Sequence, residues 1–535
     1  MWIPPSSCST RFKDEYDNKH GSNKNRYEMR IHLKHLILIL ILFPLRSPAQ
    51  SLPTGHWVYA SIRKLQILGN FENLSTGSLP YSRLDIAKEL VILAESHDTL
   101  PNLQHPELEL LIREFRTEIK FLETYPPPNT IESLYTQIDI SSTSATSRKH
   151  ESKMSVRTSF NVHSPINLQY GAVLDQSLIN SSEYMGYEWR GFTGYQDQLF
   201  IQFKSQYAKV LLGREYIKWG YGHTGNLFIS DNSRPFDMIK VIINSSLFRL
   251  EYFTAQLDQM YGSERYLSAT RISFIPRKNI FLGLGQSALY GGTDKSVDFT
   301  LSNPLSFYSF SQDNDSKNMN GMLYADIMIR IIPGINVYGE LLIDDFQVDS
   351  EEKSDLEPNE IAFILGVEGV QVIGFLDVWM EFAQVRNRTY NVPEGRPFEK
   401  FLHRGKPIAH HLGTDFQLLA TKVETWFKPT LKGYVDISFS RKGEGTITGS
   451  FSEPWLDDTV NLISGYTEKI PFGIIESTFD TSIGVIWHPT NYLSVEASVS
   501  SQNSQNVEHI QGADLNSTVA QLYFVSEFDG FTLLR

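Results

Sequence analysis

From Ile131 onward the chain alternates apolar with small or polar side chains at a period of two, for roughly 400 residues and without a helical interlude. In SVRTSFNVH, Val156, Thr158, Phe160 and Val162 alternate with Ser155, Arg157, Ser159 and Asn161. INLQYGAVLD repeats the pattern from Ile166, YVDISFS from Val435, and LSVEASVSS from Leu493. Side chains on every second residue share one face of a strand, so each segment has one apolar and one small or polar face. A soluble sandwich alternates in the same way. Three features point instead to a barrel in a membrane. The polar partners are small or charged, the segments run to about 9 to 12 residues, and Tyr, Phe and Trp gather at segment ends, as in FIPRKNIF, VIWHPTNYL and VYGELLIDDF. Such rings form the girdles at the two membrane interfaces. The expected fold is an all-β transmembrane barrel of about 16 to 18 antiparallel strands over residues 131–535, preceded by a small helical periplasmic unit.

The segment before the barrel has a different period. HWVYASIRKLQILGN spaces Val58, Ile62, Leu65 and Leu68 three and four apart, with Gly69 as a stop. Ser82 opens a capping-box-like S-R-L-D that leads into Ile86, Leu90 and Leu93. A third helix is expected from Pro106 to Thr124, ended by Tyr125-Pro126-Pro127-Pro128. The first two helices resemble the S-layer homology motif, through His56-Trp57-Val58-Tyr59 and Arg83-Leu84-Asp85-Ile86-Ala87. That resemblance implies contact with a cell wall; the alternative is a helical cap packed on the barrel. Upstream, MRIHLKHLILILILFPLRSPAQ places Arg30 and Lys34 before an apolar run from Leu36 to Phe43 and small residues before a cleavage point. The run is too short to span a membrane as a helix and suits an export signal. The expected division is 1–28 as an extension upstream of the true start, 29–49 as a signal peptide, 50–130 as the helical unit and 131–535 as the barrel.

Charge and motif content narrow the function. With 48 Lys+Arg against 61 Asp+Glu the net charge is −13, and an acidic chain lacking a basic stripe is a poor partner for nucleic acid. The one cysteine, Cys8, lies upstream of the signal, so the mature chain is expected to have no disulfide, thiol nucleophile or cysteine-based metal site. No G-x-S-x-G elbow or H-E-x-x-H helix is present, and neither enzymatic chemistry nor a cofactor or metal is expected. Two acidic stretches, 311–318 and 344–360, lack calcium-loop spacing and read as solvated loop charge.

A series of segments in one order resembles the Wzi family of capsule assembly proteins: GREYIKWGYGHTGNLFISDNSRPFD (213–237), LFRLEYFTAQLD (247–258), RYLSATRISFIP (265–276), LGLGQSALYGG (282–292), LSNPLSFY (301–308), VYGELLIDDFQ (337–347) and HRGKPIAHHLGTD (403–415). The resemblance implies an outer-membrane β-barrel that is lectin-like, binds surface or capsular polysaccharide and helps hold a capsule on the cell. The chain departs from common barrel endings in closing on FTLLR rather than an aromatic residue. The implied partners are polysaccharide, outer-membrane lipids and lipopolysaccharide, with the protein a monomer. A diffusion channel is the alternative function.

Two stretches carry the chemistry that sugar recognition needs: aromatic faces to stack on C–H surfaces, and planar amide, carboxylate and guanidinium groups to bridge hydroxyls. The first is expected to be a long loop, 214–237, after the strand YAKVLLG. In it Tyr216, Trp219 and Tyr221 supply rings, and Arg214, Lys218, Asn226, Asp231 and Asn232 supply polar groups. The same residues also suit a loop that folds inward and plugs the barrel. The second stretch, 403–415, offers Arg404 and His410 along with Lys406, His411 and Asp415, a set suited to an acidic polymer. Read as a strand, it puts His410 and His411 on opposite faces.

Overall fold

The computed structural model describes residues 51–534, except 72–73, 75–76, 96–105, 125–131, 147, 164–165, 180, 182–183, 185, 206, 246–247, 309–317, 348–350, 464 and 491. The upstream extension and signal peptide expected over 1–49, the proline stop at 125–128 and most of the acidic stretch 311–318 lie outside the described residues.

Eighteen antiparallel strands close into a barrel. In chain order they are β1 (Glu132–Ala145), β2 (Arg148–His163), β3 (Ile166–Asp175), β4 (Thr193–Lys204), β5 (Ala208–Glu215) and β6 (Phe236–Asn244). Then come β7 (Phe248–Gln256), β8 (Glu264–Arg277), β9 (Ile280–Gly292), β10 (Asn320–Ile332), β11 (Ile335–Asp345) and β12 (Glu360–Val372). The last six are β13 (Leu376–Val385), β14 (Phe416–Lys428), β15 (Leu431–Lys442), β16 (Glu476–Thr490), β17 (Leu493–Gln505) and β18 (Leu515–Leu534). β1 pairs with β18 from Glu132↔Leu534 to Ala145↔Gln521, so no edge is left open. At one end the turns are two or three residues long; the opposite end carries the long connections 176–192, 216–235, 293–319, 386–415 and 443–475.

Burial decides between sandwich and membrane barrel. In β3, Leu168 and Tyr170 are exposed while Asn167 and Gln169 are buried. In β4, Leu199, Ile201 and Phe203 are exposed and Gln198 and Gln202 buried. In β12, Leu365 and Val367 point outward and Glu360 and Glu368 inward. A soluble sandwich buries its apolar face. Here the apolar face is outside and the polar face inside, the arrangement that hydrocarbon around a barrel demands.

Among the described residues four helices precede β1: α1 (Val58–Ile67), α2 (Arg83–Glu95), α3 (Pro106–Glu114) and α4 (Arg116–Thr124). Val58, Ile62, Leu65, Ile86, Leu90, Leu93, Leu111 and Phe115 share one apolar core. Ser82 Oγ accepts from Asp85 N at 3.2 Å and starts α2, as the sequence predicts. The single helix expected over 106–124 is instead two, broken at Phe115. Arg83 explains the break. Its Nη2 donates to the Glu114 carbonyl at 3.0 Å, drawing that oxygen from the helical ladder, and its guanidinium lies 4.7 Å over the Phe115 ring. Arg83, an element of the S-layer resemblance, thus serves the unit's own interior.

α1 sits against inward-facing wall residues at the short-turn end. Arg63 Nε reaches Glu368 at 2.7 Å, and Lys64 Nζ reaches Asp377 at 2.9 Å and Glu424 at 2.7 Å. Burial works against the Lys64 charge, but Glu107, Glu424 and Asp377 outweigh it and hold the ammonium above its usual pKa. The outward position of Leu365, midway along β12, gives a direct test of the membrane assignment. Leu365→Arg is expected to cost about 2–4 kcal/mol of folding free energy in lipid vesicles, measured by denaturant titration, whereas Leu365→Met is expected to be close to neutral.

Candidate functional site

The first candidate stretch is not wholly a loop. β5 continues through Arg214 and Glu215, so the connection spans 216–235. Arg214 shares the outward parity of Leu212 and is held by Asp237 on β6, Nε to Oδ1 at 2.8 Å and Nη2 to Oδ2 at 2.5 Å. It therefore faces away from the other candidate residues.

Beyond Glu215 the chain turns into the lumen. Lys218–Trp219 pairs antiparallel with Ser78–Leu79, the segment just before α2, and Gly220 N donates to Gly77 O at 2.9 Å. Gly220 has φ 116°, a conformation closed to most L residues. The Trp219 ring is fully buried, 5.8 Å from Phe228 and 5.5 Å from Phe253 between ring centroids, and Phe228 in turn stacks on Tyr324 at 4.8 Å.

A buried loop must find partners for its amides, and here wall carboxylates supply them. Glu340 on β11 accepts from Tyr221 N (2.7 Å), Gly222 N (2.8 Å), Asn226 Nδ2 (2.8 Å) and Leu227 N (2.9 Å). Glu381 on β13 accepts from His223 N at 2.7 Å and Thr224 N at 3.0 Å. Glu368 on β12 lies 2.8 Å from His223 Nε2, and the His223 ring stacks on Trp379 at 4.6 Å. Burial, with Arg63 nearby, lowers the His223 pKa despite Glu368.

The second stretch lies within the connection 386–415, which enters the lumen beside the first. Three carbonyls of that connection, just before the stretch, are taken by a wall guanidinium: Arg265 on β8 donates to Phe398 O (2.6 Å), Lys400 O (2.6 Å) and Leu402 O (2.9 Å). The two connections bind each other through Ser230 N to Ile408 O at 2.9 Å, Asn232 Nδ2 to Pro407 O at 3.0 Å and Tyr390 OH to Leu227 O at 2.6 Å. His410 and His411 are not on a strand, and their rings stack at 4.4 Å rather than facing apart. His410 is fully buried against Phe416, its Nε2 lies 3.2 Å from Thr224 Oγ1, and burial holds its pKa well below the usual value.

The ten residues singled out in the sequence thus divide into three groups. Trp219, Tyr221, Asn226 and His410 are buried parts of a plug. Tyr216, Lys218, Asp231 and Asn232 are partly exposed, and Arg404 is exposed, with its amide held by Asp258 Oδ1 at 2.8 Å. Arg214 stands outside on the wall. Lys218 and Tyr221 also line a cavity of about 520 Å³ between plug, wall and α1, together with Trp57, Tyr59 and His223. The residues the sequence reading missed are Glu340, Glu368, Glu381 and Arg265. The signal for Glu340 and Glu381 is a charge at an inward position between apolar neighbours, as in VYGELLI and VWMEFAQ.

Removing Glu340 leaves the amide donors at 221, 222, 226 and 227 without their acceptor, at about 1–3 kcal/mol for each that stays buried and unpaired. Glu340→Ala is therefore expected to release the plug. Planar-bilayer recordings should show low conductance for the native barrel and a clear rise for the variant, together with new tryptic cleavage at Lys218.

The sequence model described as capsule assembly protein Wzi matches residues 143–518. No curated protein matches the chain. Among solved structures, the chain is similar to Escherichia coli Wzi, described as an outer-membrane protein involved in group 1 capsule assembly and a carbohydrate-binding β-barrel. The TM-score is 0.60 at 12% identity, over 90% of this chain and 99% of that one. At that identity the likeness speaks for the fold alone. Pseudomonas aeruginosa OccD3 follows at TM-score 0.43 and 9% identity over 76% of this chain and 93% of its own, and OpdK at 0.43 and 10% over 74% and 98%. The family match runs from β1 to β18 and takes in both lumen connections together with the wall charges that hold them, so the chain belongs to the Wzi family of capsule assembly proteins.

Proposed function

We propose that this barrel stands in the outer membrane as a monomer, among its lipids and lipopolysaccharide, binds exported surface polysaccharide and supports capsule assembly or attachment without enzymatic chemistry. Family membership supports the capsule role, and the described property of the Escherichia coli relative supports carbohydrate as the ligand. The observation that carries the reading is the meeting of the two candidate stretches in one lumen. Tyr216, Asp231, Asn232, Arg404 and Lys406 are partly or fully exposed on the two connections, while Trp219, Tyr221, Asn226 and His410 form the rigid support beneath. Such a rim offers an aromatic face, hydroxyl-bridging groups and two cations suited to an acidic polymer. Each contact is weak, and a repeating polymer sums many of them. The short-turn end, with the helices, faces the periplasm, as short turns do in bacterial outer-membrane barrels.

A lumen that holds two inward connections favours binding over solute diffusion. Deleting the gene is expected to move polysaccharide from the cell to the medium at unchanged total, measured by separate assay of both fractions; unchanged attachment with reduced small-solute uptake would reverse the assignment in favour of a channel. In the purified barrel, Arg404→Ala with Lys406→Ala is expected to weaken binding of acidic capsular polysaccharide by roughly tenfold, the loss of about 1.5 kcal/mol from one charge-assisted contact. Heat-modifiable migration should be retained. Undiminished binding by that folded variant sinks the rim assignment.

A further inference from the structure

His56, Glu114 and Glu527 come together where the helical unit meets the barrel seam, with one ligand-type atom from each lying within 4.8 Å of the others. His56 precedes α1, Glu114 ends α3, and Glu527 belongs to β18, the strand that closes the barrel on β1. His56 Nε2 lies 3.7 Å from Glu527 Oε1, too far for a hydrogen bond but close to the ligand–ligand edge of a tetrahedral site with bonds of about 2.1 Å. The His56 side chain is 6% exposed, and its Nε2 has no hydrogen-bond partner among the described residues. A buried, unpaired ring nitrogen aimed at two carboxylates needs an explanation.

Charge gives a second, independent reason. The network around this point sets two guanidiniums, Arg83 and Arg157, against five carboxylates: Glu114, Glu118, Asp139, Asp197 and Glu527. Arg83 pairs directly with Glu114 and Glu118, and Arg157 with Asp139 and Asp197, so among the described residues Glu527 has no Lys or Arg within ion-pair distance.

We propose that His56, Glu114 and Glu527 bind a divalent transition-metal cation, with Zn²⁺ the best match, and that the ion latches the helical unit to the barrel seam. One imidazole nitrogen with two carboxylate oxygens suits zinc and excludes a calcium site, which takes oxygen alone. Glu114 keeps one oxygen on Arg83 and offers the other, and the Trp57 side chain hydrogen-bonds Glu527 as an outer partner. Ligation through Nε2 places the ring proton on Nδ1, so the contact from Val58 N–H, long at 3.4 Å, is the one that binding gives up. Glu114 and Glu527 are 13% and 21% exposed, which leaves the ion a path from solvent.

The test uses the full detergent-folded chain, stripped with EDTA and titrated with Zn²⁺ by calorimetry and elemental analysis. The expected result is one Zn²⁺ per chain and slower tryptic cleavage at Arg113, Arg116 and Lys120 with zinc bound. His56→Gln and Glu527→Gln should each weaken binding by more than the roughly 10–100-fold that outer-shell changes cost. His150→Gln, exposed and at the long-connection end of β2, should leave it unchanged. Uptake below one ion per chain, or equal uptake by all variants, overturns the site. Should either glutamine variant fail to fold, X-ray absorption of the native zinc form decides: a single imidazole among oxygen ligands supports the site, and two or more imidazoles refute it.

Discussion

Everything in this lumen rests on one constraint: a loop drawn inside a barrel takes its backbone polar groups away from water and must have them met by the wall. Glu340 and Glu381 take the backbone amides of residues 221–224 and 227, while Arg265 takes the carbonyls of residues 398, 400 and 402. The division follows from the inventory of side chains. An ionised carboxylate only accepts and can serve several amides at once, whereas a guanidinium only donates and spans several carbonyls. One charged residue on a strand can therefore fix a whole turn of an incoming loop.

The wall was legible in the sequence and the plug was not, for a physical reason. Period-two alternation is a local property, and INLQYGAVLD is the strand that its pattern predicts, bound for bound. Partnership is not local: Glu340 lies more than a hundred residues from the amides it holds, and Ser230 as far again from Ile408. The ring and amide content of 216–235 marked an unusual connection but fits an inward loop and a glycan-facing loop equally well, because both need aromatics, amides and glycine. Burial separates them, sending Trp219 inside and leaving Arg404 outside. The small residues of β9 carried a usable hint. A Cβ on Gly285 would come within 3.0 Å of Phe228, so the wall is thinned where the plug ring rests.

The two ends of the barrel are joined through its middle. Ser78–Leu79 of the helical unit forms a ladder with Lys218–Trp219 of the plug, and Glu368 on the wall reaches both Arg63 of α1 and His223 of the plug. Helices, plug and wall consequently share hydrogen bonds rather than merely touching. The S-layer-like residues fall inside this assembly, with Arg83 spent on Glu114 and Glu118, and the family match begins downstream of them at residue 143.

A lumen filled by charge pairs instead of hydrocarbon has an energetic logic. Arg271 and Asp326 make a buried bidentate pair, both contacts at 2.8 Å, and Arg157 bridges Asp139 and Asp197 at 2.6 Å each. Such pairs add little net stability over an apolar filling, since each ion has lost its water, but removing one partner strands the other at a cost of about 3–5 kcal/mol. An apolar lumen would also erase the contrast on which a membrane barrel depends, because its strands could then turn either face to lipid. Charges inside and leucines outside make the register of these strands a one-way choice: a slip of one residue in β11, β12 or β13 would carry Glu340, Glu368 or Glu381 toward hydrocarbon. The same carboxylates that seat the plug therefore also fix which way the barrel faces.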